Sequence, residues 1–492
     1  MAGYDKDVLA TDASMHGDVA ATDRQLAEAA ALFERNEVER AETFARAAVA
    51  GAPAREDAAM LLARVLQSQG RLRAAAESLL DVCAANGFEP AMSLRAATFA
   101  RQCDRHAVAA RICAGALARS PLPPELLVLA GNVAREAGDF GAARVRYLAA
   151  LDAGVDLERQ HVLGALANTR RYDDPADPDI ARFARHFADA QHSPRSRASA
   201  GFALAKAQGD LAEYAAASAT LRQANGFVHA TWPWSACAWR SFVAARRGES
   251  VGASGATARH DFVPVFVVGV PRTGTTLTAT LLARASGARD RGELRTLRFI
   301  AEHLVAGGHL GNRSALAEAA ELYRKLAVQD DPPARWYLDQ DPMNFRYLHV
   351  AAAMFPQARI IHLRRDRRDT ALSLWSQDFA HPDLAFAYDV DDIAAFLTGH
   401  DALMAHWKQA VPVPIHELDY EALVRDPDGT LAELCRFIDA PFHAAGAPRD
   451  DAAPVQSASV WQARQPVYTT SVGRWRHYAP YVPELAQFAQ YR

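Results

Sequence analysis

Along the first half of the chain, small residues return every 34 positions. Ala41, Ala75, Ala109 and Ala143 form one series, and Ala29, Ala63, Ala97 and Gly131 form a second. A third series, Asn36, Gly70, Asp104 and Gly138, places turn-forming residues at the same interval. Small residues let two antiparallel helices cross closely, while Gly, Asn and Asp tolerate positive φ between them. The pattern therefore predicts an α-helical repeat solenoid of stacked helix-turn-helix units over residues 20–245. "AREAGDFGAARVRYLAALDAG" shows one unit whole, with Gly138 and Asp139 at its turn. Alanine-rich composition makes single coincidences cheap, but independent series sharing one period are not. The register breaks at "RYDDPADPDI", where Pro175 and Pro178 intervene, and a similar unit resumes at "LAKAQGDLAEYAAASATLRQAN".

The pattern changes after residue 245. "RRGESVGASGATARHD", residues 246–261, lacks apolar periodicity and reads as a linker. "FVPVFVVGV" is then a short, continuous, β-branched run, as a buried parallel strand should be, and "TLTATLLARASG" reads as a helix. "ARIIHLRRDRRDTALSLWSQDF" repeats the strand-to-helix passage. Residues 262–492 are thus expected to form an α/β domain around a central parallel sheet. The tryptophans of "TWPWSACAW", Thr231 to Trp239, are expected to pack against that domain rather than to bind a ligand.

Composition narrows the partners. A length of 492 residues calls for two or three domains, and a net charge of -4 argues against bulk binding to nucleic acid or anionic membranes. Five scattered cysteines show no metal-ligand spacing and read as reduced thiols. The polar N-terminus lacks the features of a secretory signal, and no apolar run is long enough for a membrane span. A cytoplasmic protein is expected.

From Gly269 to Thr276 the chain reads G-x-x-x-x-G-T-T, the spacing of a triphosphate-binding loop without its lysine and with Arg272 inside it. A strand, a tight loop and a helix N-terminus aim backbone N–H groups at one point, which suits a doubly charged oxyanion. The string P-R-T-G-T-T-L resembles the 5′-phosphosulfate loop of sulfotransferases, and the repeats resemble tetratricopeptide repeats without their usual tryptophan and tyrosine. The combination resembles a bacterial-type repeat sulfotransferase of the tyrosylprotein-sulfotransferase-like branch. Its donor would be 3′-phosphoadenosine 5′-phosphosulfate, with no metal needed, and its acceptor a hydroxyl such as a protein tyrosine or a sugar. A kinase or triphosphatase reading is disfavoured by the missing lysine.

The resemblance implies roles for particular residues. Arg272, Thr273, Gly274, Thr275 and Thr276 would hold the 5′ end of the donor, with Arg272 also acting on the transferring group. Arg365 and Ser373 would grip the 3′-phosphate, a task that suits the arginine fork. Tyr420 would lie near the adenosine, and Ser459 and Arg474 would contribute from the C-terminal stretch. Glu293, following Gly292 and lying 21 residues after Arg272, would be the catalytic base. His362 is the competing base, with a core role as its alternative. In "LDQDPMNF", Gln340 stands where repeat-bearing relatives carry a lysine that neutralises the leaving oxygen. That departure keeps a second expectation open, a nucleotide-sensing repeat scaffold with weakened catalysis that holds a partner protein on its groove.

Overall fold

The third 34-residue series marks the turns of the fold. Asn36, Gly70, Asp104 and Gly138 all have positive φ, at 60°, 74°, 56° and 89°. Each separates the two helices of a hairpin in the computed structural model. The pairs are α1 (Lys6–Glu34) with α2 (Val38–Gly51), and α3 (Glu56–Ser68) with α4 (Leu72–Ala85). They continue as α5 (Pro90–Gln102) with α6 (His106–Leu117), and α7 (Pro124–Ala137) with α8 (Phe140–Asp152). The small series lie where the helices cross, since Ala29, Ala63, Ala97, Ala41, Ala75, Ala109 and Ala143 have no exposed surface. A Cβ at Gly131 would lie 2.5 Å from the Tyr147 ring, so that ring takes the space a side chain would need.

The structure describes residues 6–119, 121–249, 261–379, 381–444 and 470–490. They divide into two compact units, Met1–Val155 with Val328–Pro332, and Asp156–Ala327 with Pro333–Arg492. In the first unit Asp330 accepts the N–H groups of Arg73 and Ala74 at 2.8 Å, satisfying donors at the start of α4. No described helix is long and apolar enough to cross a membrane.

The division at Val155 falls earlier than the break in composition at residues 246–261, most of which lie outside the described residues. Helices α9 (Val162–Ala167), α10 (Pro178–Ala188), α11 (Pro194–Asp210), α12 (Tyr214–Thr231) and α13 (Ala236–Gly248) therefore belong to the second unit. The hairpin that resumes after the prolines is α11 with α12, turning at Ala212 with φ 61°. It is tied to the α/β part by polar contacts that periodicity cannot reveal. Asn225 Nδ2 donates to the Trp375 carbonyl at 2.8 Å, and Arg195 pairs with Asp378 at 2.6 Å. Trp239 packs as expected, stacked on Phe396 with centroids 4.9 Å apart.

The sheet of the second unit has the order β2-β3-β1-β4-β5. Its strands are β1 (Val263–Gly269), β2 (Arg289–Asp290), β3 (Trp336–Asp339), β4 (Arg359–Arg364) and β5 (Ile415–Asp419), and every pairing is parallel. Central β1 is buried along its whole length, which is why its sequence is continuously apolar. On one face Val265, Val267, Ile361, Leu363 and Leu418 pack with Leu282 of α14 (Thr275–Ser286) and Leu434 of α21 (Pro427–Phe437). The loops after β1, β3, β4 and β5 leave from the same sheet edge, so their residues converge there.

Candidate functional site

The loop after β1 is shaped by two glycines and a strained arginine. A Cβ at Gly269 would lie 2.8 Å from the Leu363 carbonyl oxygen, so β1 and β4 approach closely only without a side chain there. Arg272 has φ 75° and Gly274 has φ 104°. Thr273 braces the turn by donating its hydroxyl to the Val270 carbonyl at 2.7 Å. Gly274 opens α14 without a side-chain cap, so the first-turn N–H groups have no local side-chain acceptor. Thr275 and Thr276 are buried beside them. An uncapped helix start carrying a positive dipole end is a site for an anion.

Around this loop the structure gathers Arg365, Ser373 and Tyr420. Arg365 donates from Nη1 to the Arg272 carbonyl and from Nη2 to the Ser471 carbonyl, both at 2.9 Å. Its guanidinium lies 4.7 Å from the centre of the Tyr420 ring. Tyr420, the first residue of α20 (Tyr420–Arg425), packs so closely on the loop that a Cβ at Gly274 would meet its ring at 2.6 Å. Ser373, on α18 (Arg367–Trp375), accepts from Arg272 Nε at 3.0 Å, so it faces the loop arginine as well as sharing a helix approach with Arg365. Two residues of the C-terminal stretch fare differently. Arg474 turns to Tyr478, at 3.3 Å, and is not gathered with Arg365, while Ser459 lies outside the described residues. A cavity of about 930 Å³ opens beside the loop, with Val270, Thr273, Arg365, Asp369, Gly473 and Trp475 among its walls.

Glu293 stands between β2 and α15 (Thr296–Ala306). Its surface is open to solvent while protein crowds its other sides. That crowding, with the charges of Asp341 and Asp339 added, pushes its carboxyl up to about 8, against the lowering pull of Arg295 and Arg272. Asp339 is buried, accepts from the Tyr323 hydroxyl at 2.8 Å, and is itself pushed up to about 8 by burial and by Asp341. Sequence reasoning read Gln340 in this segment and missed the aspartates on either side of it. The signal was their flanking position alone. Gln340 is buried, donates its N–H to the Gly292 carbonyl at 2.9 Å, and holds its Oε1 without a hydrogen-bond partner among the described residues.

His362 is a core residue of β4. It is buried, 3.6 Å from Glu417 and 5.2 Å ring to ring from His400, and burial pushes its pKa down. Among the described residues no group of three or more His, Cys, Asp or Glu is placed to hold a metal ion.

Comparison with known proteins bears on this arrangement. Residues 264–444 match the model of the sulfotransferase family. An uncharacterised protein of Aquifex aeolicus is 31% identical over 327 residues, covering 60% of this chain and 42% of that protein. Protein-tyrosine sulfotransferase 1 of Danio rerio is 25% identical over 209 residues, covering 37% of this chain and 55% of that protein. The protein-tyrosine sulfotransferase of Drosophila melanogaster is 24% identical, covering 36% and 38%. The chain thus spans about half the length, or less, of the curated relatives it matches. Among solved structures, the sulfotransferase domain of the Synechococcus PCC 7002 olefin synthase aligns over 48% of this chain and 97% of its own. Its identity is 19% and its TM-score 0.34.

Proposed function

We propose, from the premise that residues 264–444 form a sulfotransferase-family domain, that the chain moves a sulfuryl group from 3′-phosphoadenosine 5′-phosphosulfate to a hydroxyl acceptor. The observation that carries the reading is the uncapped start of α14 behind P-R-T-G-T-T, with Arg365 and Tyr420 packed against the same loop. Backbone N–H groups of residues 273–276 bind the 5′-phosphate, and the Thr275 and Thr276 hydroxyls add donors. Arg272 offsets charge on the transferring group and its bridging oxygen. Arg365 and Ser373 take the 3′-phosphate, and Tyr420 the adenosine. Glu293 accepts the acceptor's hydroxyl proton as the new S–O bond forms, the old S–O bond breaks, and adenosine 3′,5′-bisphosphate leaves.

The names of two relatives support a protein tyrosine as acceptor, with a sugar hydroxyl as the alternative. In the first unit a cavity of about 820 Å³ lined by Glu56, Asp57, Met60, Arg64, Leu94, Arg95 and Phe99 offers a groove with apolar walls and charges of both signs for a protein partner. Residues 20–245 supply the repeat part and residues 262–492 the transfer domain. All five cysteines are unpaired, which supports a reducing, cytoplasmic setting. Gln340 favours a second reading, a nucleotide-binding scaffold with little turnover, because it brings no charge to the segment beside Asp339 and Asp341, where the cations acting on Glu293 are Arg295 and Arg272. Incubation with ³⁵S-labelled donor and a panel of tyrosyl peptides and glycans separates the two. Label transfer that Glu293→Gln abolishes supports the enzyme; nucleotide binding without transfer to any acceptor supports the scaffold.

A further inference from the structure

The carboxylate of Asp369 is not used by the chemistry above, yet it is 2% exposed and fully engaged. Its Oδ2 accepts the Gly473 N–H at 2.6 Å and its Oδ1 the Trp475 N–H at 2.9 Å. Two backbone donors more than a hundred residues away are therefore held by one buried charge on α18. Arg368 adds a second hold, with its guanidinium 3.9 Å from the centre of the Trp475 ring.

The clasped turn leads to the nucleotide-facing groups. Ser471, two residues before Gly473, receives Arg365 Nη2 on its carbonyl at 2.9 Å, and its hydroxyl meets Tyr420 Oη at 2.7 Å. With Nη1 on the Arg272 carbonyl, the guanidinium is fixed at both terminal nitrogens. Its Nε is buried and has no hydrogen-bond partner among the described residues. An unpartnered donor on a guanidinium held this rigidly is oriented for an anion rather than for the protein.

We propose that Asp369 is a positioning residue of the donor site, clasping the 471–475 turn so that the Ser471 carbonyl orients Arg365 toward the ligand's 3′-phosphate. The inference rests on the donor reading above. Asparagine at 369 keeps one acceptor and turns an NH₂ group toward the other backbone N–H, so one bond becomes a donor-donor contact. The turn is released while α18 keeps its length. Gly473→Ala reaches the same turn from the other side, since φ 76° there disfavours a Cβ while Asp369 stays in place.

Calorimetric titration of the full chain with adenosine 3′,5′-bisphosphate and with adenosine 5′-phosphate reads the effect as a selectivity ratio. For Asp369→Asn and for Gly473→Ala, affinity for the bisphosphate is expected to fall about tenfold or more. Affinity for the 5′-phosphate is expected to stay within about twofold, which a general loosening of the fold would not leave intact. A wild-type preference for the bisphosphate that both variants retain, or that Gly473→Ala retains if Asp369→Asn does not fold, overturns the clasp and leaves the donor reading standing. No preference in the wild type overturns the donor reading and the clasp with it.

Discussion

Gly274→Ala tests whether the loop after β1 is built against Tyr420. At φ 104° an alanine is held in a strained backbone region, costing about 1–3 kcal/mol. Its Cβ would lie 2.6 Å from the Tyr420 ring, so ring or loop must retreat by about 1 Å to reach ordinary contact. That retreat breaks the 2.7 Å hydrogen bond between Tyr420 Oη and Ser471, a further cost of about 1 kcal/mol. The second unit should therefore lose about 2–4 kcal/mol. The seven described tryptophans all lie within it, so urea unfolding followed by tryptophan fluorescence reports on that unit. In a Tyr420→Ala background only the backbone strain remains, and the double-mutant cycle should show coupling of about 1 kcal/mol. A loss below about 0.5 kcal/mol, equal in both backgrounds, would refute the packing of loop on ring.

Three further outcomes follow from the acidic side of the site. Glu293→Gln should lower turnover about 10²- to 10⁴-fold with nucleotide affinity unchanged, and wild-type turnover should rise with pH through about 8 as the carboxyl loses its proton. A pH-independent rate between 6 and 9 would sink Glu293 as base. Gln340→Lys places a cation beside Glu293, Asp339 and Asp341, and should move that midpoint to lower pH and raise the rate near pH 7; an unmoved midpoint counts against the electrostatic role of this position. Asp339 has a native pKa pushed up to about 8, above its unfolded value, so its contribution to stability is full at low pH and lost as pH climbs from about 4 through 8. Asp339→Asn should flatten that part of the stability profile, and an unchanged slope in urea titrations across this range would contradict the assignment.

What the sequence disclosed and what it withheld divide along physical lines. The turns at Asn36, Gly70, Asp104 and Gly138 were legible because positive φ restricts residue type, and β1 because a strand buried on both faces must be apolar throughout. Arg365 and Tyr420 entered as candidates only through the resemblance, and their packing on the loop is a tertiary fact. The direction of the Arg272 side chain toward Ser373, 101 residues away, was not legible, because rotamer choice depends on tertiary surroundings. Asp369 was hidden for the same reason, since a buried aspartate on a basic helix start reads as a surface charge. Periodicity also said nothing of where α11 and α12 pack. Asn225 and Arg195 decide that through single contacts with the α/β part of their own unit.

The most direct test of the donor reading is calorimetric titration of the full chain with adenosine 3′,5′-bisphosphate, adenosine 5′-phosphate and ATP, repeated on Arg365→Ala. Micromolar binding that favours the bisphosphate, and that loses its preference in the variant, is the expected result. Equal affinity for all three nucleotides, or a preference for ATP, would contradict it and leave a domain that matches the sulfotransferase-family model put to another use.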